Sequence, residues 1–411
     1  MDALGAFRIP TFRNYLLAKL LFVLGAQVQI AAVRWQVYSL TKDPLALAWI
    51  GLIEAIAFIA VALFGGHLAD MIRPGKIILA CLSILAGCSG CLLLLSGPGS
   101  FLLVSVTPIY AVIAVSGAAR GILSPALFAF MTALIPPRLY ASSATWSSGS
   151  WQMAAVAGPA IGGLLYGAAG PIVAYTADIT LVLGAIVFAG ISIRTAPEQT
   201  LHPVTEGLSE RLTGGVRFVF GNQLLLGAMS LDLFAVLFGG AAAMIPLFAD
   251  RLETGAQGMG FLMSAPAAGA VAMSVVLAFA PLGRRAGWVL LSATAGFGLC
   301  MIGFALSSTF VLSMVFLVCS GAMDQVSVVV RSTIMQRFTP EHMRGRVSAV
   351  NSIFVGSSNE IGAFESGLMA KILGLVPSVL FGASMTLVTV SATTAMAKKL
   401  RELDLSSPQE Q

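Results

Sequence analysis

Nine ionisable side chains stand inside stretches that are otherwise apolar. They are the acids Glu54, Asp178, Asp232, Asp324, Glu360 and Glu365 and the cations Arg34, Arg120 and Arg331. A charge at the centre of a bilayer costs about 3 kcal/mol on the insertion scale, so nine left alone would cost on the order of 27 kcal/mol. They must be paired, neutral or turned toward water. Groups held that way can bind an ion in one state and release it in another. Arg34 shares its stretch with Gln27 and Gln29, Arg120 and Asp232 lie in two further stretches, and Asp324, Gln325 and Arg331 share a fourth. The pattern suggests a cavity lined by both signs of charge, in which a carboxylate enclosed in one state and paired in another couples proton movement to a change of shape. Asp324 first and Asp232 second are expected to take the proton, Arg120 and Arg34 to lose a contact when they do, and Glu360 and Gln325 to line the same space. Glu54, Asp178 and Glu365 fall nearer the ends of their stretches, where a headgroup or a backbone partner suffices. Arg331 reads as a latch reaching the cytoplasmic interface.

Lipid-embedded helices are the elements that must hold these groups. Of 411 residues 57% are hydrophobic and only 10% charged, with 43 glycines and a mean hydropathy of +0.92. A soluble domain carries about 25% charge, which excludes a water-soluble enzyme. Apolar stretches of about 20 residues span a bilayer as helices, and they occur near 15–38, 45–68, 77–95, 101–130, 142–165, 171–193, 222–248, 256–279, 287–306, 310–334, 347–370 and 376–396. The fold class expected is an all-α membrane protein with twelve transmembrane helices in two six-helix bundles. The bundles are 1–193 and 222–411, the latter with a short cytoplasmic tail. Between them a polar cytoplasmic linker, 194–221, carries Glu198, His202, Glu206, Glu210, Arg211 and Arg217. The opening MDALGAFRIPTFRNYLLAKL runs into apolar sequence without a small-residue cleavage site and reads as the first retained span.

Basic residues set the orientation. Arg8, Arg13, Lys19, Arg73, Lys76, Arg138, Arg194, Arg211, Arg217, Arg284, Arg285, Arg337, Arg344, Arg346, Lys398, Lys399 and Arg401 fall on one side of the alternating topology, against Lys42, Arg251 and Lys371 on the other. The rich side is cytoplasmic, which puts both termini there. The net charge of +5 is therefore a membrane signal and not a nucleic-acid one. The halves also repeat. Gly117-Ala118 stands 19 residues before Pro136 and Gly321-Ala322 stands 19 before Pro340, an offset of 204 that also carries Gly158 onto Gly362, Gly163 onto Gly367 and Arg120 onto Asp324. Duplicated six-span units with a pseudo-twofold place a transport site near the bilayer midplane between them.

After the second span the chain reads Gly65-Gly66-His67-Leu68-Ala69-Asp70-Met71-Ile72-Arg73-Pro74-Gly75-Lys76, and the fifth span contains Gly158-Pro159-Ala160-Ile161-Gly162-Gly163. The first resembles the loop signature between the second and third helices of the major facilitator superfamily, with Met71 in place of a basic residue. The second resembles the fifth-helix motif of its antiporters. Leu231 to Gly240, Arg331 through Thr339-Pro340-Glu341-His342-Met343-Arg344-Gly345-Arg346 to Asn359-Glu360, and Trp35-Gln36-Val37-Tyr38 resemble the superfamily branch of enterobactin exporters and macrolide efflux proteins. The resemblance spans essentially the whole chain. It implies the major facilitator fold, with Gly66, Asp70, Arg73 and Lys76 as a conformational latch and Gly158, Pro159, Gly162 and Gly163 as a close helix packing. It also implies a multi-pass bacterial inner-membrane antiporter, expected to be monomeric, that exports a small amphipathic molecule, siderophore or drug-like, in exchange for protons. The alternative is a proton-coupled uptake or facilitated-diffusion permease of the same fold.

Other classes lack their residues. No GxxxxGK[ST] phosphate cradle, GxGD or HExxH occurs, so no enzyme activity and no cofactor are expected. The three histidines, His67, His202 and His342, are scattered, and the five cysteines lie in apolar stretches without a second CxxC pair, so neither a metal site nor a disulfide framework is expected.

Overall fold

The computed structural model of the protein describes residues 5–97, 105–196, 208–239, 241–279, 285–340 and 343–404, and at 62–70, 137, 141, 208–213, 215, 241–242, 344–345, 349, 353 and 357 it describes the backbone but not the side chains. Glu198, His202, Glu206, Arg284, Glu341 and His342 fall outside the described residues. Those described are almost wholly helical, with no strand among them. In order the helices are α1 (Pro10–Thr41), α2 (Pro44–Met71), α3 (Pro74–Leu95), α4 (Thr107–Leu134), α5 (Tyr140–Thr195), α6 (Leu208–Gly221), α7 (Gln223–Gly239), α8 (Ile245–Arg251), α9 (Gly255–Phe279), α10 (Ala286–Leu306), α11 (Phe310–Phe338), α12 (Arg344–Leu373), α13 (Leu375–Met396) and α14 (Lys398–Arg401). Proline sits in the first turn of α1, α3, α4 and α8, where its missing N–H leaves nothing unpaired. Side chains cap others: Asp43 Oδ1 accepts from the Leu45 amide at 3.1 Å ahead of α2, and Asn222 Oδ1 from the Leu224 amide at 3.0 Å ahead of α7.

Nine helices among the described residues are long and apolar enough to cross a bilayer. They expose Ile56, Leu94, Val187, Phe279, Val311 and Met396, which in water would form aggregation-prone patches and in lipid are the solvent-facing surface. The protein is an all-α membrane protein. At 56 residues α5 would run about 84 Å, far beyond a core of about 30 Å, and it breaks at Gly170, whose φ of 79° and ψ of −176° are non-helical. The stretches 142–165 and 171–193 are thus joined by one glycine ahead of Pro171, with no loop. The stretch 222–248 is also interrupted: α7 ends at Gly239 and a 3-10 turn, Ala241–Met244, precedes α8. Part of the interval expected as linker is helical, since α6 packs on α7 and α12 and buries Val219 against Met229, Val347 and Val350.

The chain forms two compact units. Unit 1 holds α1, α2 from Ile53, α3, α4, α5 and the segment Gly255–Ser264 that opens α9; unit 2 holds Asp43–Leu52, the rest of α9 from Ala265, α6 to α8, and α10 to α14. In unit 1 α1 packs along α5, α3 on α4 and α3 on α5 around Phe12, Ile77, Leu82, Leu123, Phe130 and Val182. In unit 2 α7 packs on α12 and α13, α10 on α11 and α10 on α13 around Leu225, Leu231, Leu290, Val330 and Ile334.

Glycines mark the repeat in three dimensions. A Cβ on Gly117 would meet the Glu54 carbonyl oxygen at 2.8 Å, and one on Gly321 would collide with the Pro266 backbone. A Cβ on Gly163 would lie 2.5 Å from the Ala256 carbonyl oxygen and 2.7 Å from Gly260 Cα, and one on Gly367 would meet Pro44 and Ala48. The glycines keep the offset of 204, while the residues they face, 54 against 266, 44 against 256 and 48 against 260, keep a second offset of 212. Two glycines per unit let the same helix pairs approach backbone to backbone, as small residues do in membrane helices.

Candidate functional site

In unit 1, helices α1 to α5 bring a set of polar groups together at the level of Arg120. The Arg120 guanidinium forms an ion pair with Glu54 of α2 through Nη1, and Nη2 donates to Gln29 Oε1 of α1 at 3.0 Å. Gln29 Nε2 donates to Asp178 Oδ2 of α5 at 2.9 Å and to Ser89 Oγ of α3 at 3.2 Å, and Ser89 Oγ donates to the Leu85 carbonyl at 3.0 Å. One cation therefore touches a first carboxylate directly and a second through an amide that bridges them. Asp178 is fully buried and its Oδ1 has no hydrogen-bond partner among the described residues. The Glu54 carboxylate and the Arg120 guanidinium keep 23% and 17% of their exposure, so the pair remains within reach of a guest. A turn or two further along α1, Gln36 Nε2 donates to Ser96 Oγ at 3.1 Å and its Oε1 accepts from the Tyr175 hydroxyl at 2.6 Å. Gly158 and Gly162 let α5 lie against α1 at Gln27 and Val28, which fixes the face of α1 that carries Gln29.

Beside this network unit 1 contains a cavity of about 430 Å³. Tyr15, Phe22, Phe58, Phe128 and Trp151 give it aromatic walls, and Arg120, Lys19, Gln27, Ser124 and Ser147 are its polar groups. The volume falls in the range of about 300–1,000 Å³ usual for small-molecule sites, and an apolar wall with a few convergent polar groups is the usual composition.

Unit 2 arranges its charges differently. Asp232 of α7 and Arg331 of α11 form an ion pair with side chains only 8% and 7% exposed. Asp324, seven residues before Arg331 on α11, is half-buried with Gln325 beside it and has no hydrogen-bond or ion-pair partner among the described residues. Glu360 of α12 lies against Gly51 of α2, where a Cβ would stand 2.8 Å from its Oε2. Lys371 donates to Asp43 Oδ1 at 3.0 Å.

Several expected roles change with these positions. Glu54 and Asp178, expected near headgroup depth, are the partners of the Arg120 network. Arg331, expected as an interfacial latch, is the buried partner of Asp232. Arg34 is half-buried on α1. Arg73 and Lys76 are exposed at the start of α3, while Gly66 and Asp70 lie on α2 where side chains are not described. Pro159, Gly162 and Gly163 are buried in α5. Lys19 carries no mark in the sequence beyond following Arg13 in a basic-ended helix, and it belongs to the cavity. No group of three or more His, Cys, Asp or Glu that could hold a metal occurs among the described residues.

Helices that pair in the same way in two units, one of them enclosing a polar-ended aromatic cavity inside an apolar bundle, define a membrane transporter. Residues 1–410 match the family described as transmembrane secretion effector, and the chain belongs to that family, within the major facilitator superfamily of transporters. It is 24% identical over 377 residues to the enterobactin exporter EntS of Shigella boydii serotype 18 (strain CDC 3083-94 / BS512), covering 90% of this chain and 87% of that one. The same identity and coverage hold for EntS of Escherichia coli O1:K1 / APEC. The fold is shared with the peptide transporter PepTSo of the POT family, at a TM-score of 0.74 and 13% identity over 96% of this chain and 99% of the other. It is also shared with a bacterial homologue of the iron transporter ferroportin, at 0.70 and 16% over 95% and 100%.

Proposed function

We propose that the protein exports a small amphipathic molecule across a bacterial inner membrane in exchange for protons. The observation that carries this reading is the chain Glu54–Arg120–Gln29–Asp178 beside the aromatic cavity. A guanidinium paired with one carboxylate and linked to a second through Gln29 can be claimed by an anionic group of a guest only if its carboxylate gives it up, and a carboxylate gives it up when it takes a proton. Substrate and proton then compete for one network, which is the requirement of antiport. Asp324, without a partner among the described residues, is the further proton-carrying group in unit 2, with Gln325 beside it on α11 and Glu360 on α12, while Asp232, closed onto Arg331, serves to hold helices together. The names of the similar exporters support the outward direction. In this reading the chain crosses the membrane twelve times with both termini in the cytoplasm, acts as a monomer, and alternates access by rocking of its N- and C-terminal bundles.

Inside-out vesicles carrying the protein test this reading. An imposed pH gradient, acid inside, should drive accumulation of a siderophore or an amphipathic drug, and Asp324→Asn should abolish gradient-driven accumulation while leaving binding intact. Accumulation in right-side-out vesicles alone would replace export by uptake. Unchanged accumulation by Asp324→Asn would remove that residue from the coupling.

A further inference from the structure

We infer that Lys19 is the anion anchor of the unit 1 cavity and that the cavity takes a small aromatic or amphipathic anion, such as a carboxylate, sulfonate or phenolate. Two cations line this space, and their charges are met differently. Arg120 is compensated by Glu54. The Lys19 ammonium donates only to the neutral hydroxyl and carbonyl of Ser147, the latter at 3.4 Å, and has no carboxylate partner among the described residues. Among the described residues no acidic side chain lines the cavity. One positive charge without a counter-charge among the described residues thus lines it, about a third of the way along α1, on a half-buried side chain. A cation in an apolar surrounding without a counter-charge is costly, and an anionic guest would supply the missing charge. Tyr15, Phe22, Phe58, Phe128 and Trp151 would hold its apolar or aromatic body by burial and ring stacking, while Ser147 aims the ammonium inward. A cationic guest of the same shape would face Lys19 with like charge, and Glu54, the acid nearest the cavity through Arg120, is already paired. Arg120 lines the same cavity, so a guest anchored on Lys19 lies beside the network through which protons are proposed to act.

Calling this anion the cargo rests on the export reading above; its binding does not, so the two can fail separately. The test is equilibrium binding to the purified full chain in phosphatidylcholine nanodiscs without any gradient. The probes are naphthalene-2-sulfonate and naphthalen-2-yl-trimethylammonium, which share a ring system and differ in sign. The sulfonate should bind about tenfold or more tightly than the ammonium, the size of one charge-assisted hydrogen bond. Lys19→Met should remove that preference and Lys19→Arg should keep it. Independently of any variant, the sulfonate and not the ammonium should shield Lys19 of the unaltered protein from acetylation, read by mass spectrometry. Equal binding of the two ions, sulfonate affinity unchanged in Lys19→Met, or absence of shielding would each overturn the assignment. Displacement of the sulfonate by phosphatidylglycerol added to the nanodisc would overturn it in favour of a lipid headgroup as occupant. Binding as expected without accumulation in inside-out vesicles would leave the anion site standing and remove the export reading.

Discussion

The two units share a glycine frame but hold their buried charges in opposite ways. Unit 1 places Arg120 where three helices reach it, directly from Glu54 and Gln29 and through Gln29 from Asp178, beside a cavity. Unit 2 closes Arg331 onto Asp232 with little of either exposed, and it leaves Asp324 without a partner among the described residues at the position equivalent to Arg120. Gly117 and Gly321 nonetheless bring the same pair of helices into backbone contact in both. The duplicated frame is therefore what the fold requires, and the charges set upon it are where the halves have specialised. A sealed pair holds two helices together. A shared cation that is still partly exposed can be exchanged for a guest.

The sealed pair should show the largest effect when broken. Removing one member leaves the other charge buried and uncompensated, which costs on the order of 3–5 kcal/mol. Asp232→Asn or Arg331→Met should lower the thermal midpoint of the detergent-purified protein sharply and reduce its monodisperse yield, and the double variant should regain most of the loss. Glu54→Gln should cost far less stability, since Arg120 keeps Gln29 and partial exposure, while reducing gradient-driven accumulation. If Glu54→Gln destabilises as much as Asp232→Asn, the distinction between a structural and a working pair is lost.

The glycine frame offers a test of intermediate size. Gly321→Ala must push its methyl into the Pro266 backbone and Gly117→Ala into the Glu54 carbonyl, and backbone cannot swing aside as a side-chain end can. Each should cost about 1–3 kcal/mol, against about ±0.5 kcal/mol for Gly87→Ala, which opens onto free space. A Cβ on Gly117 would also lie 3.3 Å from Glu54 Cγ, so Gly117→Ala should impair transport beyond its loss of stability and Gly321→Ala should not. Thermal midpoints and vesicle accumulation on the same preparations would separate the two.

Much of this arrangement was legible in the chain itself. Charge content and apolar stretches mark an all-α membrane protein, though not the number of its spans, and the spacing of Gly117 to Pro136 and Gly321 to Pro340 points to the repeat, because a bilayer imposes length and polarity on sequence directly. The partner of Arg120 was not legible. Glu54 is 66 residues away, and only the approach of α2 to α4 at Gly117 makes them neighbours. Lys19 was hidden for a related reason: a lysine near a helix end is most simply a cation reaching for the interface, and its place in a cavity depends on where Ser147 and Trp151 of α5 fall. The break at Gly170 shows the converse. Gly170-Pro171 marks an interruption in the sequence, but whether two helices are joined by a loop or by a single residue is decided by the backbone torsions of that glycine.

The smallest effect asks whether position in the network matters more than the strength of a bond. Ser89→Ala removes one acceptor from Gln29 and Thr386→Val removes the hydroxyl that donates to the Ala235 carbonyl of α7 at 3.2 Å. Both hydroxyls are buried, and each loss should cost about 0.5–1.5 kcal/mol, giving similar small drops in thermal midpoint. Their effects on transport should differ. Gln29 without Ser89 is held at that amide only by Asp178, so its grip on Arg120 changes and the proton dependence of accumulation should shift. Thr386 joins α13 to α7 away from any exposed charge and should leave transport unchanged. Equal effects on transport would mean that the unit 1 network is no more than packing, and the contrast between the units would then reduce to how far each buries its charges.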